Sequence, residues 1–327
     1  MPAGLSVHRP GDDNQAATPQ TLLRAQARPN LGGMKIAVVL AALLSGLLAV
    51  APQAQARASP TTRAPAGTEV LPETTTETQG PPTVEVFTFN VCGNLCRHGE
   101  VALTAKHIAG QIRRRETSVA MLQELCYSQY LGIRRLLVKR GYSAVFARAT
   151  TGGQCDNDDR RHGRGFGVAI VARGTLYGKV VRRLPSPHPG RQEPRVALGA
   201  RLRVAGRPIL VVTTHTAPSG PNLALQLATV QRWLEPIAAG RPVILGGDLN
   251  SPPDSLDLVP FATMFQEADG RAEPLPTFIP KWIKIDYLFG SRGFLTPRSA
   301  TTACGDLSDH CLYVGSFAIP DQVGLTP

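Results

Sequence analysis

Asp248 and Asn250 stand where an apolar run gives way to turn-forming residues. The segment Val243–Leu245 is short, apolar and partly β-branched, which indicates a buried strand, and Pro252 and Pro253 stop regular structure soon afterwards. Residues two apart on an extended chain point to the same side. A carboxylate and a carboxamide held in this way suit phosphoester chemistry, in which one orients a water molecule and the other donates to a phosphate oxygen. An ordinary Asx turn is the alternative interpretation.

Polar and ionisable residues follow other predicted strands in the same manner. Each has a structural explanation when taken alone, such as a turn cap, a carboxylate paired with arginine or a buried histidine. Their recurrence at strand ends instead predicts a shared pocket, because functional sites of layered α/β folds often lie at such ends. The residues in question are Asn90, Glu124, His215, Asp286, Asp309 and His310.

The elements that position these residues can be predicted from periodicity. Strands are expected at 84–91, 118–124, 142–147, 166–171, 177–184, 195–204, 207–214, 243–248, 283–289 and 312–319, and helices at 101–115, 127–139 and 221–239. Because βα units alternate with strand-only runs, we expect an α/β protein with a large mixed sheet or a two-sheet sandwich and helices outside. One domain is expected to cover residues 83–320.

The residues before this domain have the features of an export signal. Lys35 precedes an uncharged run of 16 residues, Ile36–Ala51, and an Ala-x-Ala cleavage pattern ends at Ala56. The run is shorter than the ~20 residues of a membrane span, although an uncleaved anchor is an alternative. We expect residues 1–33 to be an extension from a misassigned start codon, 34–56 a signal peptide and 57–82 a disordered linker rich in proline and threonine. The protein is then secreted and meets the membrane only through its signal.

The charge of the chain favours anionic partners. The formal net charge is +11, and the 271 residues after Ala56 carry +9, because four basic and two acidic residues precede that point. A balance of this size favours nucleic acid, phosphorylated small molecules or an acidic surface without choosing among them. No feature of the sequence requires a stable protein partner, and a monomer is expected.

The six cysteines all follow the predicted signal peptide. An even number in an exported chain favours disulfides over free thiols. Pairing nearest neighbours predicts three bonds, and a zinc site is the alternative, although the chain has no Cys-x-x-Cys pair. The predicted bonds are Cys92–Cys96, Cys126–Cys155 and Cys304–Cys311.

Six short motifs together resemble the endonuclease/exonuclease/phosphatase superfamily, across residues 84–319. Gly-Asp-Leu-Asn followed at this distance by Ser-Asp-His is the specific part of the resemblance. The resemblance implies a DNase I-like fold, a four-layer α/β sandwich of two packed mixed β-sheets with outer helices, here in an exported bacterial member. The motifs are Phe89–Val91, Leu122–Glu124, Thr214–His215, Gly247–Asn250, Lys284–Tyr287 and Ser308–His310.

The same resemblance implies roles for each of these residues in phosphoester hydrolysis with Mg²⁺ or Mn²⁺. Glu124 would be the principal metal ligand, with Asn90 and Asp309 contributing directly or through water. His310 would be the general base or charge partner facing the attacking water, and Asp286 would fix its tautomer. Asp248 would orient that water, while Asn250 and His215 would contact the non-bridging phosphate oxygens.

Two departures from the family pattern concern cysteines. Cys92 stands where many relatives have a polar residue two places after the asparagine, which weakens the case for a second metal ion, and Cys126 replaces a basic residue of several nucleases.

The substrate prediction depends on basic residues in the loop 150–165. Arg160, Arg161 and Arg164 are predicted to bind substrate, which together with the charge favours DNA or RNA. A phospholipid-headgroup phosphodiesterase or phosphatase of sphingomyelinase type is the alternative enzyme, and a non-catalytic binding protein on the same fold is the third candidate.

Overall fold

The strands alternate their apolar residues between two faces, and this alternation builds two β-sheets that pack together. The computed structural model describes residues 80–150, 165–187 and 193–320. Its strands are β1 (Thr83–Asn90), β2 (Val119–Cys126), β3 (Tyr142–Thr150), β4 (Phe166–Arg173), β5 (Tyr177–Arg183), β6 (Val196–Val204), β7 (Arg207–His215), β8 (Val243–Asp248), β9 (Phe265–Glu267), β10 (Asp286–Ser291), β11 (Thr296–Ala303) and β12 (Leu312–Ala318).

The helices lie on the outer faces of these sheets. Short 3-10 turns occur at Cys96–Gly99, Val138–Arg140 and Leu256–Leu258. The α-helices of the described residues are α1 (Val101–Arg114), α2 (Tyr127–Leu137), α3 (Pro221–Ala238) and α4 (Val259–Met264).

The two sheets repeat one arrangement of strands. Sheet one has the order β11-β12-β1-β2-β4-β3, and sheet two has the order β5-β6-β7-β8-β10-β9. Each sheet has one parallel pair at its centre, β1 with β2 and β7 with β8, while its other neighbours are antiparallel. The last strand lies beside the first, with Ala318 opposite Thr83.

Adjacent residues of the central strands enter different hydrophobic layers. Met121 and Ile244 belong to the core between the sheets, whereas Leu122 packs with the helices outside sheet one and Leu245 packs with those outside sheet two. Strands covered on both faces are expected to be continuously apolar, as these are. The result is a four-layer α/β sandwich, which confirms the predicted fold class.

Strands β9 and β11 and the short helix α4 are absent from the sequence prediction. β11 is a mostly exposed edge strand with no apolar alternation, and β9 has only three residues, so neither has a period to detect. The predicted strand beginning at Ile283 in fact begins at Asp286, because Ile283 forms an isolated bridge with Phe278 instead. Helix α2 ends at Leu137 and continues as a 3-10 turn.

Two of the three predicted disulfides are present in the structure. Cys92 is bonded to Cys96 and Cys304 to Cys311, so neither pair can offer thiolates to zinc. The pairing of Cys126 with Cys155 stays a prediction, because Cys155 lies outside the described residues.

The predicted extension, the signal peptide and most of the linker also lie outside the described residues, since they fall on 1–79. Within the described part of the chain, none of the helices has the length and apolar character needed to cross a membrane.

Candidate active site

The predicted strand-end residues converge on one cavity between the ends of the two sheets. The cavity has a volume of about 500 Å³. Asn90 and Asp286 are not part of its lining but hydrogen-bond to residues that are. The predicted residues that line the cavity are Glu124, His215, Asp248, Asn250, Asp309 and His310. Arg160, Arg161 and Arg164 lie outside the described residues, so their predicted contact with substrate stays a prediction.

Glu124 reaches the cavity because β2 contains a bulge. The register between β2 and β4 shifts between Leu122 and Leu125, and Glu124 has a φ of 51°, in the left-handed region. A bulge re-aims a side chain out of the regular alternation, and strained backbone of this kind concentrates at functional sites. The Glu124 side chain is thereby a quarter exposed, at 25%, while its neighbours along the strand are buried.

Asp248 and Asn250 form the Asx turn that was the alternative interpretation, and the predicted extended chain through both residues is wrong. The backbone N–H of Asn250 donates to Oδ1 of Asp248 at 2.9 Å, which is an Asx turn. Asn250 has a φ of 50°, a conformation that asparagine tolerates better than most residues. Its Nδ2 donates to the carbonyl of Thr216. Both side chains line the cavity, although a turn rather than an extended chain brings them together.

Gly247 allows Asp248 to sit at the end of β8. It has a φ of 152°, and a Cβ at this position would collide with the carbonyl oxygen of Thr214 on β7. Only glycine lets the two parallel strands approach this closely. The close approach places His215 opposite Asp248 in the register of β7 and β8.

Asn90 links the two carboxylates that come from different sheets. Its Nδ2 donates to Oε1 of Glu124 at 3.1 Å and to Oδ2 of Asp248 at 3.0 Å. Its Oδ1 accepts from the backbone N–H of Cys92 at 3.0 Å. The amide therefore orients both carboxylates in this structure, and its predicted contribution as a metal ligand stays a prediction.

His310 is held by an aspartate on the other sheet. Its Nδ1 lies 2.8 Å from Oδ2 of Asp286, and its Nε2 lies 3.7 Å from Oδ2 of Asp248. Burial on its own would lower the pKa of His310, but the carboxylates of Asp286 and Asp248 outweigh it and raise that pKa to about 10. Imidazolium is the favoured form of His310 in this arrangement.

For Asp248, unlike His310, burial has the dominant effect on the pKa. Burial and the nearby carboxylate of Asp286 raise its pKa to about 7, although His310 and the hydrogen bond from Asn90 act in the other direction. Asp286 and Asp248 are directly paired across β10 and β8, and Oδ1 of Asp286 has no hydrogen-bond partner among the described residues. The perturbed pKa values of Asp248 and His310 therefore occur together in one buried cluster, and such perturbed groups are common at functional sites.

The loop carrying Asp309 and His310 is tied down at several points. The Ser308 hydroxyl donates to the carbonyl of Asn90 at 2.7 Å and accepts from the backbone N–H of His310. On the other side, the N–H of Ile279 donates to the carbonyl of Asp309, and the N–H of Cys311 donates to that of Thr277. These bonds explain how a polar loop positions its side chains precisely.

Arg195 is a site residue that sequence reasoning missed. Its side chain is only 11% exposed and lines the cavity. Its Nη1 donates to Nδ1 of His215 at 2.6 Å and lies 3.3 Å from Oε1 of Glu193, while its buried Nε has no hydrogen-bond partner among the described residues. Arg195 is the first residue of the strand predicted at 195–204, which was the available signal, but the polar loop ahead of it concealed that signal.

Arg195 favours the neutral form of His215. Burial, followed by the positive charges of Arg195 and His310, holds the pKa of His215 well below 6.5. Nη1 of Arg195 lies 2.6 Å from Nδ1 and 3.1 Å from Nε2 of the ring, so the guanidinium contacts both ring nitrogens. Nε2 faces Oδ2 of Asp248 at 3.4 Å and Oε1 of Glu124 at 3.8 Å, so His215 supports both carboxylates.

The residues present fit a hard divalent cation. Glu124 and Asp309 present carboxylate oxygens to the same cavity, and Mg²⁺ and Mn²⁺ prefer oxygen ligands and retain bound water. Cys92 and Cys96 lie near Asp309, but their disulfide removes the thiolates that a softer metal would need. Asp248, Asp286 and His310 also lie within reach of one another, where hydrogen bonding explains their arrangement without a metal ion.

Solved structures with the same fold come from several organisms. The human Nocturnin catalytic domain, solved with a bound sulfate anion, matches at 21% identity with a TM-score of 0.60, covering 73% of this chain and 94% of that chain. A mannosyl-6-phosphatase of Bacteroides thetaiotaomicron matches at 18% with a TM-score of 0.57, covering 72% and 100%. TDP2 from C. elegans matches at 17% with a TM-score of 0.56, covering 73% and 77%.

At these low identities the structural similarity establishes the fold alone, whereas the match to a sequence model of a protein family establishes the family. No curated protein matches the sequence. The model described as the Endonuclease/Exonuclease/phosphatase family matches residues 87–310, more than half of the chain and the whole of the cavity described above. The chain therefore belongs to the endonuclease/exonuclease/phosphatase family.

Proposed function

We propose that this protein is a secreted phosphodiester hydrolase that depends on Mg²⁺ or Mn²⁺ and acts on DNA or RNA. The family is one of hydrolytic phosphoesterases. The observation that carries the proposal is the cavity in which the pair His310–Asp286 faces Asp248 and the carboxylate of Glu124. A protein that only bound ligands would not need these four ionisable groups in one cluster, where His310 bonds Asp286 and Asn90 joins Glu124 to Asp248.

The side chains divide the hydrolytic task among them. Asp248, with a pKa of about 7, orients the attacking water and accepts its proton as the water oxygen bonds to phosphorus. The bond from phosphorus to the leaving oxygen breaks in the same displacement, and the alkoxide that departs takes a proton from solvent. His310 was predicted to be either a general base or a charge partner. Because Asp286 holds it as imidazolium, it takes the second role and stabilises the negative charge that develops on the phosphate. Asn250 and His215 donate to the non-bridging oxygens.

Glu124 and Asp309 would hold the divalent cation in this scheme. When bound there, the cation would supply Lewis-acid stabilisation of the negative charge that develops on the phosphate and on the leaving oxygen. Asn90 and His215 keep the Glu124 carboxylate oriented toward the cavity whether or not the cation is bound.

The charge of the chain supports nucleic acid as the substrate. The net charge is +11, and two cations, Arg195 and Lys281, line the cavity beside its carboxylates. A polyanion is attracted to such a protein along its whole length, whereas a single phosphate ester meets only the charges of the cavity.

One observation favours a phospholipid headgroup as a second candidate. Trp282 is 63% exposed on a turn whose neighbours Lys281 and Ile283 line the cavity. An exposed tryptophan beside a lysine is also suited to a lipid–water interface.

A substrate panel separates the two candidates. Plasmid DNA, RNA, sphingomyelin vesicles and a chromogenic phosphodiester are each incubated with the enzyme, with and without Mg²⁺, and with a His310→Ala variant to exclude contaminating activity. We expect Mg²⁺-dependent cleavage of DNA or RNA that the variant lacks. Faster turnover of sphingomyelin than of either nucleic acid, with little effect of salt, would establish the lipid candidate instead.

Export and oligomeric state are tested separately. We propose that cleavage follows Ala56 and that the mature chain is a monomer without a stable protein partner. Intact-mass measurement of protein recovered from the culture medium, with light scattering of the same sample, measures both. A mass that includes residues 34–56 would instead indicate an uncleaved anchor.

A further inference from the structure

A second cavity lies at the other end of sheet two. Its volume is about 550 Å³, within the range that accommodates nucleotide-sized ligands. Arg207 at the start of β7 lines this cavity, whereas His215 at the end of β7 lines the active site. Nine extended residues separate the two by about 26 Å, and the two cavities have no lining residue in common.

The rim of this second cavity is strongly cationic. None of the described residues that line it is acidic. Arg201 and Arg203 lie on one face of β6, since residues two apart on a strand point the same way, with buried Leu202 between them. The four lining arginines are Arg201, Arg203, Arg207 and Arg241.

Three of these guanidinium groups are free to bind a ligand. Within the described ranges, no ion pair joins Arg201, Arg203 or Arg241 to a carboxylate, and Arg203 uses only Nη1 for the carbonyl of Gly206. Arg207 is not counted among the three, since its Nη1 donates to the carbonyl of Pro320. Planar guanidinium groups recognise phosphate through paired N–H donors, so a cluster of them without acidic neighbours favours phosphate.

The floor of the cavity is apolar. Leu210 and Ile319 are buried beneath it, and the rings of Tyr177 and Phe294 are part of its wall. An inorganic anion would use only the rim. A paired strand uses the rim through its phosphates, and an unpaired nucleotide such as one at a strand end also uses the floor, since its base packs against aromatic and aliphatic side chains.

From this combination we infer that the second cavity is an exosite for a nucleic-acid strand, which it binds at phosphates remote from the bond that is cleaved. The inference rests on the proposed function. Because one base pair advances the duplex by about 3.4 Å, a substrate must exceed about eight base pairs to reach both cavities. Long substrates are thereby bound more tightly than short ones.

Charge reversal with a matched control tests the exosite directly. Arg201→Glu with Arg203→Glu removes two rim cations, and Arg134→Glu with Arg135→Glu makes the same change of charge on exposed positions of α2. In a His310→Ala background, binding of labelled duplexes of about 6 and about 20 base pairs is measured by fluorescence anisotropy at several salt concentrations. In the active background, KM for the long duplex is compared with KM for a chromogenic phosphodiester.

If the exosite exists, binding should weaken only in the rim variant, Arg201→Glu with Arg203→Glu, and only for the long duplex. The Kd of the long duplex should rise about tenfold, with a shallower salt dependence because fewer counterions are released, and its KM relative to the small diester should rise by a similar factor. The control variant and the short duplex should each change less than about twofold. Equal losses in both variants would show that only the overall charge matters, and no loss in the rim variant would also overturn the exosite.

Two further outcomes are distinguished by the same proteins. Vesicles of phosphatidylglycerol are tested alongside the duplexes, and loss of vesicle binding with retained duplex binding in the rim variant would overturn the exosite in favour of a lipid surface. If the active enzyme cleaves no nucleic acid but the rim variant alone loses duplex binding, the proposed function fails while the nucleic-acid site stands.

Discussion

Nδ1 of His310 lies 2.8 Å from Oδ2 of Asp286, which joins a loop next to sheet one to a strand of sheet two. Asp286 lies at the first residue of β10 in sheet two, and His310 lies just before β12 in sheet one. Both are at least 95% buried. This contact fixes the imidazole at the position where the two sheets meet, and its loss should affect chemistry more than folding.

The first prediction separates the two members of this pair. His310→Ala should lower kcat by ~10²–10⁴-fold, the usual contribution of a proton-transferring or charge-stabilising side chain, and Asp286→Asn should lower it less, because the imidazole remains. His107→Ala, on α1, is the control and should retain activity. Turnover is measured together with circular dichroism, and wild-type turnover by folded His310→Ala would refute the assigned role.

A second prediction concerns stability against pH in the presence of a chelator. The pKa of His310 is raised from 6.5 to about 10 in the folded state, so the folded protein binds a proton that the unfolded chain has released between these values. Its contribution is therefore fully present below pH 6.5 and is lost as the pH rises through about 10. Asp248, with its pKa raised from 3.8 to about 7, lowers stability over the more acidic interval as its buried charge forms.

Urea unfolding at a series of pH values measures this dependence. The free energy of unfolding of the wild type should fall between pH 6.5 and pH 10, and His310→Gln should flatten the decline. His107→Gln serves as the control and should leave the slope unchanged. A slope that is identical in all three proteins would show that His310 does not retain its proton in the fold.

The third prediction concerns the metal ion. EDTA should abolish activity, and Mg²⁺ or Mn²⁺ should restore it, because Glu124 and Asp309 offer hard oxygen ligands. Glu124→Gln should raise the metal concentration needed for half-maximal activity, and Glu235→Gln, an exposed change on α3, should not. Calorimetric titration of the same proteins with Mn²⁺ provides a second readout. Full activity in excess chelator is incompatible with this assignment.

The fourth prediction tests Arg195 as a positioning residue. Arg195→Met should lower kcat by about 10²-fold, since the ring of His215 is no longer held in position beside Glu124 and Asp248. It should also raise the pKa of His215, which the neighbouring guanidinium holds down. Arg232→Met on the exposed face of α3 is the control. Histidine NMR titration gives the readout that separates a positioning role from a structural one, because an unchanged His215 pKa excludes the former.

The fifth prediction concerns the disulfide Cys304–Cys311, which encloses the loop of Asp309 and His310. Replacing both cysteines with alanine should lower the free energy of unfolding by about 2–4 kcal/mol and should also reduce kcat, because the loop loses one of its constraints. The matching replacement of Cys92 and Cys96 tests whether the effect is particular to this loop. Unchanged stability and turnover in the first variant would show that the backbone bonds to Ile279 and Thr277 suffice.

The sequence predicted the site better than it predicted the geometry that forms it. Asn90, Glu124, His215, Asp248, Asp286 and His310 could be found because each follows or ends an apolar strand whose period is visible. The bulge that turns Glu124 inward could not be found, since no glycine or proline marks it and the register shift depends on pairing with β4. Arg195 escaped notice because a buried arginine differs from an exposed one only in its tertiary surroundings.

The edge of sheet one was unpredictable for another reason. β11 is rich in threonine and mostly exposed, so its membership of the sheet is decided by pairing with β12 and not by any period of its own. The turn at Asn250 shows a different case, in which the structure contains the Asx turn and the same turn directs both side chains to the cavity, while their predicted roles in phosphoester chemistry stay predictions.

The pairing of β12 with β1 has a consequence for the order of events on the ribosome. Asn90 is made early, but Asp309 and His310 are synthesised more than two hundred residues later, and their loop is set in place only when β12 joins β1. A nascent chain that has already folded its other strands still lacks these two groups. The candidate active site is therefore complete only after the final strand has emerged, so synthesis itself delays the appearance of activity.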